Sequence, residues 1–326
     1  MAIQLLYAAL GLALLVLAGD ALVKGAVNLS LRLGVPALIV GLTIVAFGTS
    51  APELLVSIQA VLRDSPGIAL GNVVGSNIAN VLLVLGLPAL IMAIRTDECD
   101  TRRTYAMMLG ATVFFIAIAL TGTITWIHGI ALLLALSFVL ADAFMTARNH
   151  RRANGAAAAA AAAAVDNPDE IEGADAGMGW PKIVMFLVLG LIGLPLGADL
   201  LVDSSIEIAR ALNVSETVIG LTLVAIGTSL PELATTVMAA LRRQADVALG
   251  NVIGSNMFNL LAIVGVASFF GNIPVPAEML RFDLWVMLAA ALLMLPFVFR
   301  GWPLTRAWGI VFSVLFVVYI ALVVLA

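Results

Sequence analysis

The chain has 326 residues, of which 63% are hydrophobic and 11% charged, with a formal net charge of −4 and a mean hydropathy of +1.14. No water-facing surface can be built from that composition, so a soluble globule is excluded and a polytopic membrane protein is implied. No nucleic-acid partner is expected, and the lipid bilayer is the surrounding medium.

Ten apolar runs follow in chain order, at 2–28, 36–62, 68–92, 103–121, 124–146, 181–209, 215–241, 247–271, 282–299 and 303–325. Each approaches the roughly 20 residues that an α-helix needs to cross about 30 Å of hydrocarbon. Backbone groups in lipid must pair internally, and the runs lack the alternation of barrel strands, so the fold class is an all-α membrane protein. The first run has no basic segment before it, and the repeat described below pairs it with the run that starts at Trp180-Pro181, so it belongs to the mature fold. It carries Asp20, the counterpart of Asp199 in the sixth run; a role in a gate or ion path is open to both, and a structural carboxylate reaching the interface is the favoured reading.

The second run holds Glu53 far from either polar end. A glycine-rich polar stripe follows in the third, with Asn72, Ser76 and Asn80 spaced by four. Cys99 is the sole cysteine, forms no internal disulfide, and reads as a bystander among acidic loop residues. His128, near the start of the fifth run and without a second ligand, reads as interfacial. Trp126, Trp180, Trp302 and Trp308 stand at run ends and suggest an aromatic belt, with Trp285 a less secure member.

Residues 147–180 form a polar linker in which a basic cluster precedes nine alanines and an acidic tract. An all-alanine segment has no amphipathic face to bury, so it reads as a spacer. The expected division is therefore 1–146, a linker at 147–180, and 181–326. Five runs on each side of the linker require equivalent helices to cross in opposite directions, giving two inverted-topology five-helix repeats. Loops on the amino-terminal side hold Arg63, Arg210 and Arg281, while the other thirteen basic residues lie opposite. The positive-inside rule then places both termini outside and the linker in the cytoplasm of a cell with this protein in its inner membrane.

Residues 41–86 and 220–265 align without a gap at an offset of 179, with 25 of 46 positions identical. The shared words are GTSxPE, from Gly48 to Glu53 and Gly227 to Glu232, and GNVxGSNxxN, from Gly71 to Asn80 and Gly250 to Asn259. Burying one unpaired charge at mid-span costs at least ~2.5 kcal/mol, so two duplicated glutamates point to function. No Lys, Arg or His lies at comparable depth to neutralise them. Pro52 and Pro231 each remove a backbone donor and free a carbonyl near Gly48 or Gly227. Thr49, Ser50 and Glu53 share one side of a turn. Carboxylate, hydroxyl and carbonyl oxygens are the hard ligands that Ca²⁺ takes and that Na⁺ also accepts. Ser76, Asn80, Ser255 and Asn259 read as lining the site, and Asn72 and Asn251 as interhelical bonding groups; the neighbouring glycines read as packing positions.

GTSAPE with GNVVGSN, and GTSLPE with GNVIGSN, resemble the two α-repeats of the cation/calcium antiporters, the sodium/calcium exchanger superfamily, in its minimal prokaryotic form. The resemblance implies that Glu53 and Glu232 bind Ca²⁺ and share Na⁺, with Thr49 and Thr228 at the centre. It further implies flanking Na⁺ sites made by Ser50, Ser229, Ser76, Ser255 and the carbonyls of Ala46 and Ala225. Asn259, opposite Asn80, stands where some members carry aspartate, which argues against potassium co-transport. The implied activity is Ca²⁺/Na⁺ exchange by alternating access, with spans one and six as a sliding gate. No enzyme chemistry, cofactor or obligatory protein partner is implied. Two close carboxylates in low dielectric raise one another's proton affinity, so H⁺ is the alternative counter-ion.

Overall fold

The computed structural model describes residues 2–96, 99, 101–154, 175, 177–212 and 227–325. The apolar runs are helical, since only a helix satisfies each backbone group within its own segment in lipid. In order they are α1 (Ala2–Leu33), α2 (Ala37–Thr49), α3 (Ala51–Leu62), α4 (Pro66–Ile91), α5 (Arg102–Ala119) and α6 (Trp126–Asn154). After the linker come α7 (Trp180–Ala211), α8 (Leu230–Leu241), α9 (Ala245–Ala267), α10 (Asp283–Arg300) and α11 (Arg306–Leu325). Among the described residues seven helices are long and apolar enough to cross a membrane, or eight if α2 and α3 count as one bent span. Of the other predicted runs, 103–121 is occupied by α5, and 215–241 is described only from residue 227 onward, where α8 lies. Helix α6 continues past the predicted end of its run to Asn154, so the first linker residues are helical; most of the rest, including the alanine run, lies outside the described residues.

Helices α1 and α7 pack tightly on each other through small residues. A Cβ added to Gly11 would fall 2.9 Å from the Gly197 carbonyl oxygen, and one on Gly190 would fall 2.8 Å from the Leu22 Cα. Gly193 meets Ala18 and Gly25 meets Leu187, so residue numbers rise along α1 as they fall along α7 and the pair is antiparallel. Each helix has 32 residues, roughly 48 Å at 1.5 Å per residue. That exceeds the hydrocarbon thickness and is accommodated by tilt.

The other helices enclose a second and larger core, containing Tyr105, Phe115, Met108 and Phe312. There α9 is buried along its whole length, and Gly250 and Gly254 let it approach α2. A Cβ on Gly254 would stand 2.5 Å from the Leu42 carbonyl oxygen, so the packing expectation holds for these two glycines; it fails for Gly71 and Gly75, where an added Cβ would meet nothing within 4 Å. Two short backbone contacts tie the loops: Thr123–Ile124 pairs antiparallel with Ile273–Pro274, and Ile94 bridges to Leu304.

Among the described residues three turns of π-helix interrupt the helices, at Gly41–Val45, Asn80–Val84 and Phe258–Ile263. Such insertions open the turn and recur at functional sites. Of the interfacial aromatics, Trp126, Trp180, Trp285 and Trp302 are exposed, whereas Trp308 is drawn inward against Phe297 at 5.1 Å and Phe312 at 6.4 Å. The ring of His128 accepts the Thr125 N–H at 3.1 Å and so caps the start of α6.

Candidate functional site

The two GTSxPE words fold alike. The helix breaks at Ser50, with φ −85° and ψ 4°, and at Ser229, with φ −87° and ψ 5°. Pro52 and Pro231 fall in the first turn of the following helix, where a missing N–H costs nothing within that helix but leaves the Gly48 and Gly227 carbonyls without their usual donor. Between α2 and α3 the chain bends by 43°. Glu53 and Glu232 thereby sit in the first turns of α3 and α8, where the positive end of the helix dipole favours a carboxylate. Both are 1% exposed.

The side chains from the two repeats converge. Ser50 donates its hydroxyl to Glu232 Oε1 at 3.1 Å. Thr49 and Ser255 lie beside the same carboxylate, and the two glutamates are close enough to repel one another. Ser229 donates to the Ser76 hydroxyl at 3.5 Å.

Behind this centre runs a symmetric brace. Asn72 donates to the Glu53 carbonyl oxygen at 3.3 Å and to Ser57 Oγ at 3.2 Å, and Asn251 donates to the Glu232 carbonyl oxygen at 3.3 Å and to Thr236 Oγ1 at 3.1 Å. Each amide oxygen accepts the threonine hydroxyl of the other repeat: Thr228 to Asn72 and Thr49 to Asn251, both at 3.3 Å. The expectation that Asn72 and Asn251 bond between helices holds, but the bonds land on the site residues themselves. One amide thus fixes the main chain of one glutamate and the hydroxyl of the opposite GTS word.

Six buried side-chain atoms at this centre have no hydrogen-bond partner: Glu53 Oε2, Glu232 Oε2, Asn80 Oδ1, Ser255 Oγ and both terminal atoms of Asn259. Burying such atoms unpaired costs about 1–3 kcal/mol each, more for charged ones. Among the described residues neither glutamate has an ion pair. Five of the six are oxygens of the kind that a cation with hard ligands takes. No group of three or more His, Cys, Asp or Glu side chains gathers among the described residues, so the donor set is two carboxylates and neutral oxygens.

Not every expected ligand is equally free. The Ala46 carbonyl accepts the Ser50 N–H at 3.0 Å and the Thr49 hydroxyl at 3.3 Å, which leaves it less available than the Gly48 carbonyl behind Pro52. Ala225 lies outside the described residues. Asn80 is engaged on one side, donating to Asn256 Oδ1 at 3.1 Å. The equivalent bond from Asn259 to Asn77 is not made, and both atoms that would form it are unpartnered. Asn77 and Asn256 were not singled out in the sequence, although both belong to the duplicated GSN word.

A family profile described as "Sodium/calcium exchanger protein" matches residues 3–145 and 182–325. The sodium/calcium exchanger MaX1 of Methanosarcina acetivorans is 36% identical over 95% of this chain and 95% of its own length. The inner membrane protein YrbG of Escherichia coli is 33% identical over 96% of this chain and 94% of its own. Among solved structures, the sodium-calcium exchanger NCX_Mj soaked with Na⁺ and Sr²⁺ superposes with a TM-score of 0.81 at 33% identity, covering 98% of this chain and 97% of that one.

Proposed function

Because the chain belongs to the sodium/calcium exchanger protein family, we propose that it is a secondary antiporter that exchanges Ca²⁺ for Na⁺ by alternating access. The observation that carries this reading is the pair of buried glutamates, each with an unpartnered oxygen and no cationic partner. Glu53 and Glu232 bind the cargo, with Thr49, Thr228, Ser50, Ser229, Ser76, Ser255, Asn80 and Asn259 around them and the Ala46 and Ala225 carbonyls at the flanks. One Ca²⁺ neutralises two carboxylates, whereas three Na⁺ leave an excess positive charge, so exchange is electrogenic. Competition for the same oxygens couples the ions, since a ligand drives a conformational change only through its different affinity for the two states.

The architecture proposed with it is ten spans in two inverted repeats, 1–146 and 181–326, joined by a cytoplasmic linker, with both termini outside. The antiparallel α1/α7 pair, the matching breaks at Ser50 and Ser229, and the matching Asn72 and Asn251 braces support it. So do the two loop contacts, since Ile273 is the repeat equivalent of Ile94 and each pairs just before the start of a later helix.

A second reading replaces Na⁺ with H⁺, favoured by the mutual repulsion of two buried carboxylates. Ca²⁺ uptake into proteoliposomes loaded with Na⁺, H⁺ or K⁺ separates the two. Uptake driven by Na⁺ and lost in Glu53→Gln and Glu232→Gln, with both variants still monodisperse, is the expected result. Uptake that follows the calcium gradient alone, without counterflow, refutes antiport, and wild-type rates in either variant refute the site.

A further inference from the structure

Helix α1 crosses α8 closely on the linker-proximal side. A Cβ on Gly19 would meet the Ala234 carbonyl oxygen at 3.1 Å and the Met238 side chain at 3.2 Å. One residue along, Asp20 accepts from Arg242 through both the guanidinium Nε, at 2.6 Å, and Nη2. Both side chains are largely shielded. A charged contact in such a position ties the middle of α1 to the end of α8. Asp20 is thus a structural carboxylate, as expected, and its partner is an arginine from the other half of the chain.

The repeat offset of 179 maps Asp20 onto Asp199 and Arg242 onto Arg63. Both of these are exposed, and neither takes part in an ion pair among the described residues. The surroundings differ in the same sense. Thr235 of α8 is fully buried and Ala234 and Met238 are half-buried, whereas their equivalents Val56, Leu55 and Gln59 on α3 are all exposed, Leu55 by 61%. The α1 side of the pair is thus docked and latched on α8, and the equivalent α7 side is neither on α3.

We propose that Asp20–Arg242 and Asp199–Arg63 are two mutually exclusive latches, each formed only when the α1/α7 pair closes the ion path on its own side. The inference rests on the antiport reading above and adds residues that touch no ion. The α1/α7 pair moves as a unit because glycine contacts lock its two helices together, so docking α7 on α3 must withdraw α1 from α8. In the structure the linker-proximal latch is made and the other is open. Asp203, one turn beyond Asp199, serves as the control position.

The test uses the full chain with Cys99→Ser, a loop position outside the site, in proteoliposomes. Asp199→Cys/Arg63→Cys is treated with a short bis-methanethiosulfonate reagent that matches the reach of an arginine side chain. The expected result is cross-linking during exchange, loss of exchange in the linked protein, and recovery on reduction. Adding Arg242→Gln, which removes the competing pair, is expected to speed cross-linking about two- to fivefold, the range for a partly exposed ion pair. A merely structural salt bridge would leave that rate unchanged. Asp203→Cys/Arg63→Cys is expected to link more slowly; linking faster than the Asp199 pair overturns the assignment of the partner. No cross-link, or a rate unmoved by Arg242→Gln in a monodisperse protein with intact counterflow, overturns the latches alone. Absence of counterflow in the Cys99→Ser parent and in wild type overturns the antiport reading instead.

Discussion

Asn251→Ala tests whether the amide brace positions the site. Asn251 is completely buried and makes three hydrogen bonds, at 3.1 to 3.3 Å, to the Glu232 carbonyl, Thr236 and Thr49. These lie at the long end of the normal range, so each contributes about 0.5–1 kcal/mol net. Thr236 can recover a partner four residues back, as Thr235 already does with the Pro231 carbonyl at 2.8 Å. The unrecovered loss is about 2 kcal/mol, and if it is expressed in cargo binding it corresponds to roughly 30-fold. The expected outcome is a KM for Ca²⁺ raised by about that factor, with kcat changed much less, because the brace bonds only to residues of the site and of α8. Asn72→Ala should reproduce the effect through Glu53 and Thr228. Initial rates over a Ca²⁺ titration, with size-exclusion profiles as the folding control, read it out. Unchanged KM and kcat in both variants would refute the positioning argument, and an equal loss of kcat alone would move the role from binding to the transition.

Asn259→Asp adds a third carboxylate where both terminal atoms of the side chain are unpartnered, and is expected to change the sodium or proton dependence of uptake; an unchanged dependence takes that position out of the ion path. Gly254→Val forces a side chain against the Leu42 carbonyl and Ala46 Cβ, so the detergent-solubilised protein should lose about 1–3 kcal/mol of stability, and a thermal midpoint equal to wild type would contradict the close approach of α9 to α2. Deleting the alanine run, residues 156–164, is expected to leave transport nearly intact, and complete loss would show that the linker does more than connect.

The glutamates and the helix breaks were legible because each rests on a strong local rule. A charge in lipid is expensive wherever it stands, and a proline removes its donor regardless of tertiary context. The stripe of Asn72, Ser76 and Asn80 was equally legible as a polar face, since lipid tolerates none. Its partners were not. Nothing in a four-residue spacing says that Asn72 reaches back to the Glu53 carbonyl while Ser76 meets Ser229, because those choices follow from how α3, α4 and α8 cross. The π-turns at Asn80 and Phe258 were invisible for the same reason: an extra residue in a turn changes no composition.

The two repeats agree where the ion would sit and disagree where they meet water, and this division has a physical consequence. At the centre the GTSxPE and GNVxGSN words are shared, so exchanging the conformations of the repeats costs little there. Even so, the bonds in one structure are unequal: Ser50 donates to Glu232 while its equivalent Ser229 donates to Ser76, and Asn80 meets Asn256 while Asn259 meets nothing. Identical residues in unequal environments are what a two-state device requires, since each repeat must be able to adopt the geometry now held by the other. At the ends the equivalents diverge in charge. Lys24 and Arg243 flank the Asp20–Arg242 pair, whereas Asp203 and Asp64 stand at the equivalent places beside Asp199 and Arg63. One end therefore carries a net positive cluster and the other a net negative one. On the alternating-access reading proposed above, the shared core would keep the two states near in energy and these unlike surroundings would set which is preferred. Salt should shift that preference, because pairs near water are screened within about 10 Å at 0.1 M ionic strength.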